Sequence, residues 1–504
     1  MLSPLDSAAA SQRIVARDVN GALTGQALAA RVRQLAAELN EHRIRILALQ
    51  SDNGIAWLMV DLACQLAGIC LVPLPGFFSS SQRKHVIHKA SVDAVITNAI
   101  PEYSGDPETR VSELKTPLPD ALQLLRLPPG DTDPEMPPGT QKITFTSGST
   151  GQPKGVCLSL EQQLIEARAL ADRVGLAQPR HLCLLPLATL LENIAGIYTP
   201  LLCGGEVCLP GLAEVGFTGS SSIDPQRFLT TLERWRPDSI ILTPQLLQLT
   251  VSAAESGWTP PSSLKFVAVG GARVAPGLLQ RAQRHAIPAF EGYGLSECAS
   301  VVSLNTPAER QTGSCGKVLP HLQVGIENGE IMVSGNPMLG YLAEPQSWGQ
   351  SHIATGDLGR VTDDGFIQIS GRRKNLLISS FGRNINPEWV ESELLADGDL
   401  TECIVLGDAR PYCVALLSPR DSGTSDQSIE QAVERANKRL PDYARVRRWS
   451  RLPRPLHSQT HLLTANGRPR RAAIQRQFAP QIDSLYANAD GLGQSQTMDR
   501  WKTA

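Results

Sequence analysis

Along residues 22 to 100, apolar positions alternate between two spacings. Leu23-Thr24-Gly25 leads into a helical pattern through Leu35 and Leu39, followed by Ile44-Arg45-Ile46-Leu47-Ala48-Leu49, which reads as a buried strand. A second helix is predicted over Ala56 to Ala67, then a strand over Ile69 to Leu74 that stops at Pro75-Gly76. Strand, helix, strand in this order predicts parallel sheet flanked by helices. Strand-like runs recur at 239–243 and 265–269, each followed by a helical pattern, while 127–139 is rich in proline and glycine and reads as a loop. After about residue 371 the elements shorten. The expected fold is therefore α/β, with a large N-terminal domain (1–370) of helix-flanked, mostly parallel sheets, a small α+β C-terminal domain (371–486), and a disordered tail over 487–504.

With 504 residues the chain is too long for one core, and a net charge of -2 argues against a nucleic-acid binder. Ten cysteines without a CxxC pair or metal-ligand spacing read as thiols of a reducing compartment. No signal peptide or transmembrane run is apparent, so a cytoplasmic protein is expected.

One stretch breaks the alternation. Thr144 to Gly155, TFTSGSTGQPKG, holds three glycines, three threonines, two serines, a proline and a lysine. It sits between strand-like runs at 142–145 and 156–158. Glycines let backbone amides approach an anion closely, the hydroxyls of Thr146, Ser147, Ser149 and Thr150 add donors, and Lys154 adds a charge, so this is a candidate phosphate cradle. It is not the P-loop of kinases and ATPases, because Lys154 follows Pro153 and precedes Gly155.

TSGSTGQPKG resembles the phosphate-binding signature of the adenylate-forming superfamily, which includes acyl-CoA synthetases, firefly luciferases and peptide-synthetase adenylation domains. Further motifs follow in the family's order. Gly292-Tyr293-Gly294-Leu295-Ser296-Glu297 is similar to the aromatic-Gly-x-Thr-Glu signature, with serine at the threonine position. Thr355-Gly356-Asp357 matches the ribose-binding triplet, and Gly270-Gly271-Ala272 the segment lining the adenine and acyl sites. Gly371-Arg372-Arg373-Lys374-Asn375 resembles the hinge, and Gly382 to Pro387 with Glu391 the C-terminal pattern. The likeness spans about residues 22 to 475.

The resemblance implies an acid–thiol ligase. A carboxylate attacks ATP to give acyl-AMP and pyrophosphate, and a thiol, usually that of CoA, then displaces AMP while the small domain rotates about the hinge at Arg373 and Lys374. It implies that Thr146, Ser147, Gly148, Ser149, Thr150, Gly151 and Lys154 hold phosphates, and that Tyr293 lies against adenine with Gly270, Gly271 and Gly294 nearby. Ser296 would bond phosphate, Glu297 would hold Mg²⁺, Asp357 would contact ribose, and Arg372 would be a second contact to ribose or phosphate. Carboxylate oxygen is a hard donor suited to that ion. Lys154, Glu297 and Arg468 are the implied catalytic set.

Arg468 is a departure, since Leu463-Thr464-Ala465-Asn466-Gly467-Arg468 aligns with a motif ending in lysine. Arginine keeps the charge in a planar fork of different reach. Three readings stand: Arg468 works at reduced efficiency, Arg470 substitutes, or adenylation is impaired and the protein is an acyl-nucleotide binder or uses ready-made adenylates.

The region Leu185 to Ile194 lacks the Phe-Asp pair of amino-acid-activating relatives, so an α-amino acid is not the expected substrate. Ala188-Thr189 either opens an acyl channel or packs a helix. The run Lys374 to Gly382 resembles the long-chain fatty acyl-CoA synthetase branch, which favours a medium- or long-chain fatty acid, with an aryl or polyketide-like acid as the alternative. Eleven Lys or Arg residues between Lys438 and Arg476, with Asp442 the only acid, could attract CoA, an acyl carrier protein acting in trans, or an anionic membrane surface.

Overall fold

The computed structural model describes residues 3–103, 109–128, 134–147, 153–218, 222–464 and 468–487. The expected tail beyond Ala487 lies outside them. The chain divides into two compact units, Met1–Ile369 and Ser370–Ala504.

In the first unit, Thr24 caps the helix Gly25–Glu41, accepting from the Ala27 N–H, and Leu28, Val32, Leu35 and Leu39 form its buried stripe. The helix Ile55–Ala67 is buried over ten consecutive residues, as its nearly unbroken apolar sequence demands. Between these two helices in sequence comes the strand Ile46–Gln50, which pairs in parallel with Cys70–Pro73 on one side and Ala94–Thr97 on the other. This core widens into an eight-stranded sheet, ordered Gly340–Tyr341, Pro153–Leu158, Lys142–Ser147, Cys70–Pro73, Ile46–Gln50, Ala94–Thr97, Gln123–Arg126, Arg110–Ser112. A nine-stranded sheet has a parallel centre from Ile14–Asp18 through Glu206–Cys208, Arg180–Leu182, Ser239–Leu242 and Phe266–Val269 to Ala289–Tyr293.

Both sheets carry antiparallel strands at their edges. A third sheet, Gln323–Glu327, Glu330–Ser334, His352–Val361 and Ile367–Arg372, begins with an antiparallel meander. The parallel reading thus describes the sheet centres. It misses the short edge strands, whose two to five residues are too few to show a period.

One buried network ties the first unit together. The Lys142 ammonium donates to Asp61 Oδ1 at 2.8 Å, to Tyr198 OH at 2.7 Å and to Asn193 Oδ1. Tyr198 OH donates to Asp61 Oδ2 at 2.6 Å, and Asn193 Nδ2 donates to the same oxygen at 3.2 Å. Both charged side chains are almost wholly out of water, at 2% and 0% exposure, so the hydrogen bonds around them must offset a large desolvation cost.

The second unit is built on a three-stranded sheet, Leu400–Leu406, Cys413–Pro419 and Val446–Arg451. Cys403, Val405, Ala415 and Leu417 pack with Val390, Leu394, Ile429 and Val433. The alternate residues Ile404, Leu406, Val414 and Leu416 pack with Ile474, Phe478 and Ile482. Both faces are covered by helices, which explains two strands without polar alternation.

Replacing Asp61 by leucine strands the Lys142 charge in the interior. This variant should lose about 3–5 kcal/mol in urea unfolding, the usual cost of removing one partner from a buried pair. Asp61→Leu/Lys142→Met should recover part of that loss, and an unchanged midpoint in the single variant would refute the pair's structural weight.

Candidate nucleotide-binding site

The two ends of the glycine-rich stretch lie in paired strands. Lys142–Ser147 and Pro153–Leu158 pair antiparallel, with Thr146 opposite Lys154 and Ser147 opposite Pro153. The flanking strands therefore run further into the motif than the strand-like runs at 142–145 and 156–158 indicate. Gly148, Ser149, Thr150 and Gly151 lie outside the described residues.

Two other motifs leave neighbouring strands at the same end. Phe266–Val269 and Ala289–Tyr293 are parallel partners, so Gly270 and Gly271 emerge beside Gly292, Tyr293 and Gly294 at the carboxyl ends of the strands. That is where open α/β sheets bind their ligands. Gly294 is required by close approach, because a Cβ there would stand 1.8 Å from the Ser300 carbonyl oxygen. Ser296 and Glu297 follow in the short 3-10 turn Ser296–Cys298.

Hydroxyl groups link these segments to others. Tyr293 OH donates to Asp357 Oδ2 at 2.7 Å, joining the aromatic motif to the Thr355-Gly356-Asp357 triplet. The triplet is itself braced, since the Asp357 N–H donates to Thr355 Oγ1 at 3.1 Å and the Gly356 N–H to Glu330 Oε1 at 2.7 Å. Tyr341 OH donates to Glu297 Oε1 at 2.8 Å. The Tyr341 ring lies under the Lys154 ammonium, 4.9 Å from its centroid, and Lys154 is also ion-paired with Glu344 at 3.0 Å. Burial, reinforced by the neighbouring carboxylates, raises both phenols well above the ordinary tyrosine value, so each stays a hydrogen-bond donor.

The structure thus brings Asp357 to Tyr293, and Lys154, Tyr341 and Glu297 to one another. Tyr341, Glu344 and Glu330 escape the sequence reading. Gly340–Tyr341 is only two residues of strand and reaches the motif by pairing with Pro153–Leu158, a long-range register that no local pattern announces.

In the second unit, Arg372 is exposed and Arg373 and Lys374 lie in the 3-10 turn Arg373–Asn375, a few residues past the division at Ile369. Arg468 is exposed; its N–H donates to Thr464 Oγ1 at 3.0 Å, and the Thr464 N–H donates to the Arg468 carbonyl at 2.7 Å. Glu391 proves to be structural. It is buried, accepts from the Val405 N–H at 2.8 Å, and pairs with Arg471 at 2.6 Å. The basic stretch also loses charge to partners outside it, because Arg439 pairs with Glu393 and Asp397, and Arg451 with Asp426. Ala188 is buried and Thr189 Oγ1 donates to the Pro186 carbonyl at 2.6 Å, the packed arrangement of that segment.

Residues 6–342 match the model of the AMP-binding enzyme family, and 374–490 that of an AMP-binding enzyme C-terminal domain. The chain belongs to the AMP-binding enzyme family. It is accordingly an adenylate-forming acid–thiol ligase, as the motifs imply. It is 24% identical to the long-chain-fatty-acid–CoA ligase FadD15 of Mycobacterium bovis, over 86% of this chain and 87% of that protein. It is 30% identical to a feruloyl-CoA synthase of an Amycolatopsis species, over 77% and 81%. Its fold matches o-succinylbenzoate coenzyme A synthetase from Bacillus subtilis with a TM-score of 0.74, covering 94% of this chain and 98% of that one at 24% identity.

Under the aromatic motif, Glu291 is buried, accepts from the Val274 N–H at 3.3 Å, and has a pKa raised to about 7, chiefly by burial. Its folded value exceeds the ordinary 4.5, so its contribution is fully present below that value and is lost as pH rises towards 7. Glu291→Gln should therefore flatten the fall in Tm across this window, and an identical Tm–pH profile in variant and wild type would refute the assignment.

Proposed function

We propose that this protein condenses a carboxylic acid with ATP to give acyl-AMP and pyrophosphate, then passes the acyl group to the thiol of CoA, releasing AMP. The observation that carries this reading is the convergence of Lys154, Glu297 and Tyr341 in the same unit that joins Asp357 to Tyr293. A carboxylate is a poor electrophile until its oxygen is esterified to phosphorus, so the work of the site is positioning and neutralisation of spread negative charge.

In this scheme the glycine-rich hairpin, from Thr146 and Ser147 through Gly148, Ser149, Thr150 and Gly151, supplies amides and hydroxyls to the phosphates. Lys154 exchanges its contact with Glu344 for phosphate oxygen. Asp357 accepts from ribose, its free geometry fixed by the Tyr293 hydroxyl, and Arg372 adds a second contact. Tyr293 presents its ring, beside Gly270, Gly271 and Gly294, to adenine, and Ser296 bonds phosphate. Glu297 offers an oxygen donor to Mg²⁺, and the residue set fits a hard cation. Magnesium, when bound, supplies charge neutralisation on the phosphates. Arg468 bridges carboxylate and phosphate in the first half-reaction, and the turn at Arg373 and Lys374 is the pivot between the two.

A medium- or long-chain fatty acid is the proposed substrate, supported by the FadD15 likeness over most of both chains. An aryl acid is the second reading, favoured by the feruloyl-CoA synthase likeness. Transfer to an acyl carrier protein in trans is the alternative to CoA. Peripheral contact with anionic membrane is the reading that the density of Lys and Arg over 438–476 suggests; among the described residues no helix is long and apolar enough to cross a membrane. A cytoplasmic location accords with ten unpaired cysteines.

Asp357→Ala should weaken ATP binding by about 1–3 kcal/mol through loss of the ribose acceptor, measured by calorimetry. Unchanged affinity would remove Asp357 from the site. Acid-dependent pyrophosphate release, assayed with fatty, aryl and amino acids, should appear with fatty acids. Arg468→Ala should depress that release more than thioester formation from supplied acyl-AMP. Release with aryl acids alone would replace the fatty-acid reading, and nucleotide binding without release by any acid would establish the non-catalytic binder that Arg468 raises.

A further inference from the structure

Elsewhere in the first unit, His181, Cys183 and Glu192 converge with no part in the reaction above. His181 lies in the strand Arg180–Leu182, Cys183 directly follows it, and Glu192 opens the π-helical turn Glu192–Tyr198. All three are buried, and one donor atom from each lies within 4.8 Å of the others. His181 Nε2 lies 3.3 Å from Glu192 Oε1.

Three observations separate this cluster from an ordinary buried polar contact. Glu192 Oε2 has no hydrogen-bond partner although the residue has 0% exposure, which is costly for a carboxyl oxygen. His181 Nδ1 lies 2.9 Å from Ser239 Oγ, an outer partner that can hold the proton on Nδ1 and leave the Nε2 lone pair facing Glu192. At Gly196, a Cβ would stand 2.6 Å from Glu192 Oε1 and 3.0 Å from His181 Nε2, so glycine keeps the space around both donors clear. A π-turn, uncommon and often found at functional sites, supplies both Glu192 and Gly196.

We propose that His181 Nε2, Cys183 Sγ and the Glu192 carboxylate bind a divalent transition metal, with zinc the ion best suited to them. Imidazole and thiolate select against magnesium and calcium, and nitrogen, sulfur and oxygen donors of this kind are the ordinary ligands of zinc. Binding replaces the Cys183 S–H bond with a metal–sulfur bond and releases that proton, together with any proton held by the Glu192 carboxyl, to solvent. Thiolate and carboxylate then match the two charges of the ion, leaving a neutral unit in a dry interior. Without the ion, burial pushes the Cys183 thiol and the Glu192 carboxyl up towards their neutral forms, and Cys183 donates to the Gly196 carbonyl at 3.5 Å. The role is structural. The ion pins the π-turn whose Asn193 and Tyr198 complete the Lys142–Asp61 network.

The test is elemental analysis of the purified full chain, together with the absorption spectrum of protein produced in cobalt-supplemented medium. About one metal ion per chain is expected, with a thiolate-to-cobalt charge-transfer band and a lower Tm after chelation. The band should vanish in Cys183→Ala and persist in Cys413→Ala, and Glu192→Gln should lose the metal. Metal-free wild type that shows no cobalt band would overturn the proposal without reliance on any variant. Metal content unchanged in both Cys183→Ala and Glu192→Gln would overturn it equally, by placing the ion elsewhere.

Discussion

The Lys142–Asp61 pair is the constraint on which the candidate site depends. Lys142 is the first residue of the strand that runs into the glycine-rich hairpin, Asp61 lies midway along a buried helix, and Tyr198 and Asn193 belong to the π-turn. Buried hydrogen-bonded charge tolerates little displacement, because each lost contact exposes a desolvated group with no water to replace it. The strand consequently enters the hairpin from a fixed point, and Thr146 and Lys154 inherit their register from it.

Phenol hydroxyls help to set the two carboxylates: Tyr293 donates to Asp357 and Tyr341 donates to Glu297. A neutral donor orients a carboxylate without cancelling its charge. Lys154 is held differently, by Glu344 and by the face of Tyr341, both weak enough at a partly exposed position to be exchanged for phosphate.

Much of this was legible in the sequence, because the motifs proposed to contact a nucleotide are local. The hairpin, the Gly294 turn and the Thr355–Asp357 triplet are each set by a few adjacent residues whose chemistry is visible without a fold. The helices at Gly25–Glu41 and Ile55–Ala67 follow from apolar spacing alone. What escaped was long-range. Tyr341 acts through a two-residue edge strand, Glu330 through a bond to a backbone amide, and Glu391 through an arginine eighty positions away. The basic stretch shows the same limit, since the acids that answer Arg439, Arg451 and Arg471 lie outside it in sequence.

The paired bonds between Thr464 and Arg468 close the base of the segment between them. Closing a loop costs chain entropy, and here that cost is met on folding instead of at each catalytic cycle. The backbone and the threonine hydroxyl deliver position 468, so the nature of the cation carried there is separable from its delivery. An exchange of lysine for arginine at this point alters reach and hydrogen-bond direction while leaving the scaffold untouched. Such a position can drift chemically without the fold registering the change.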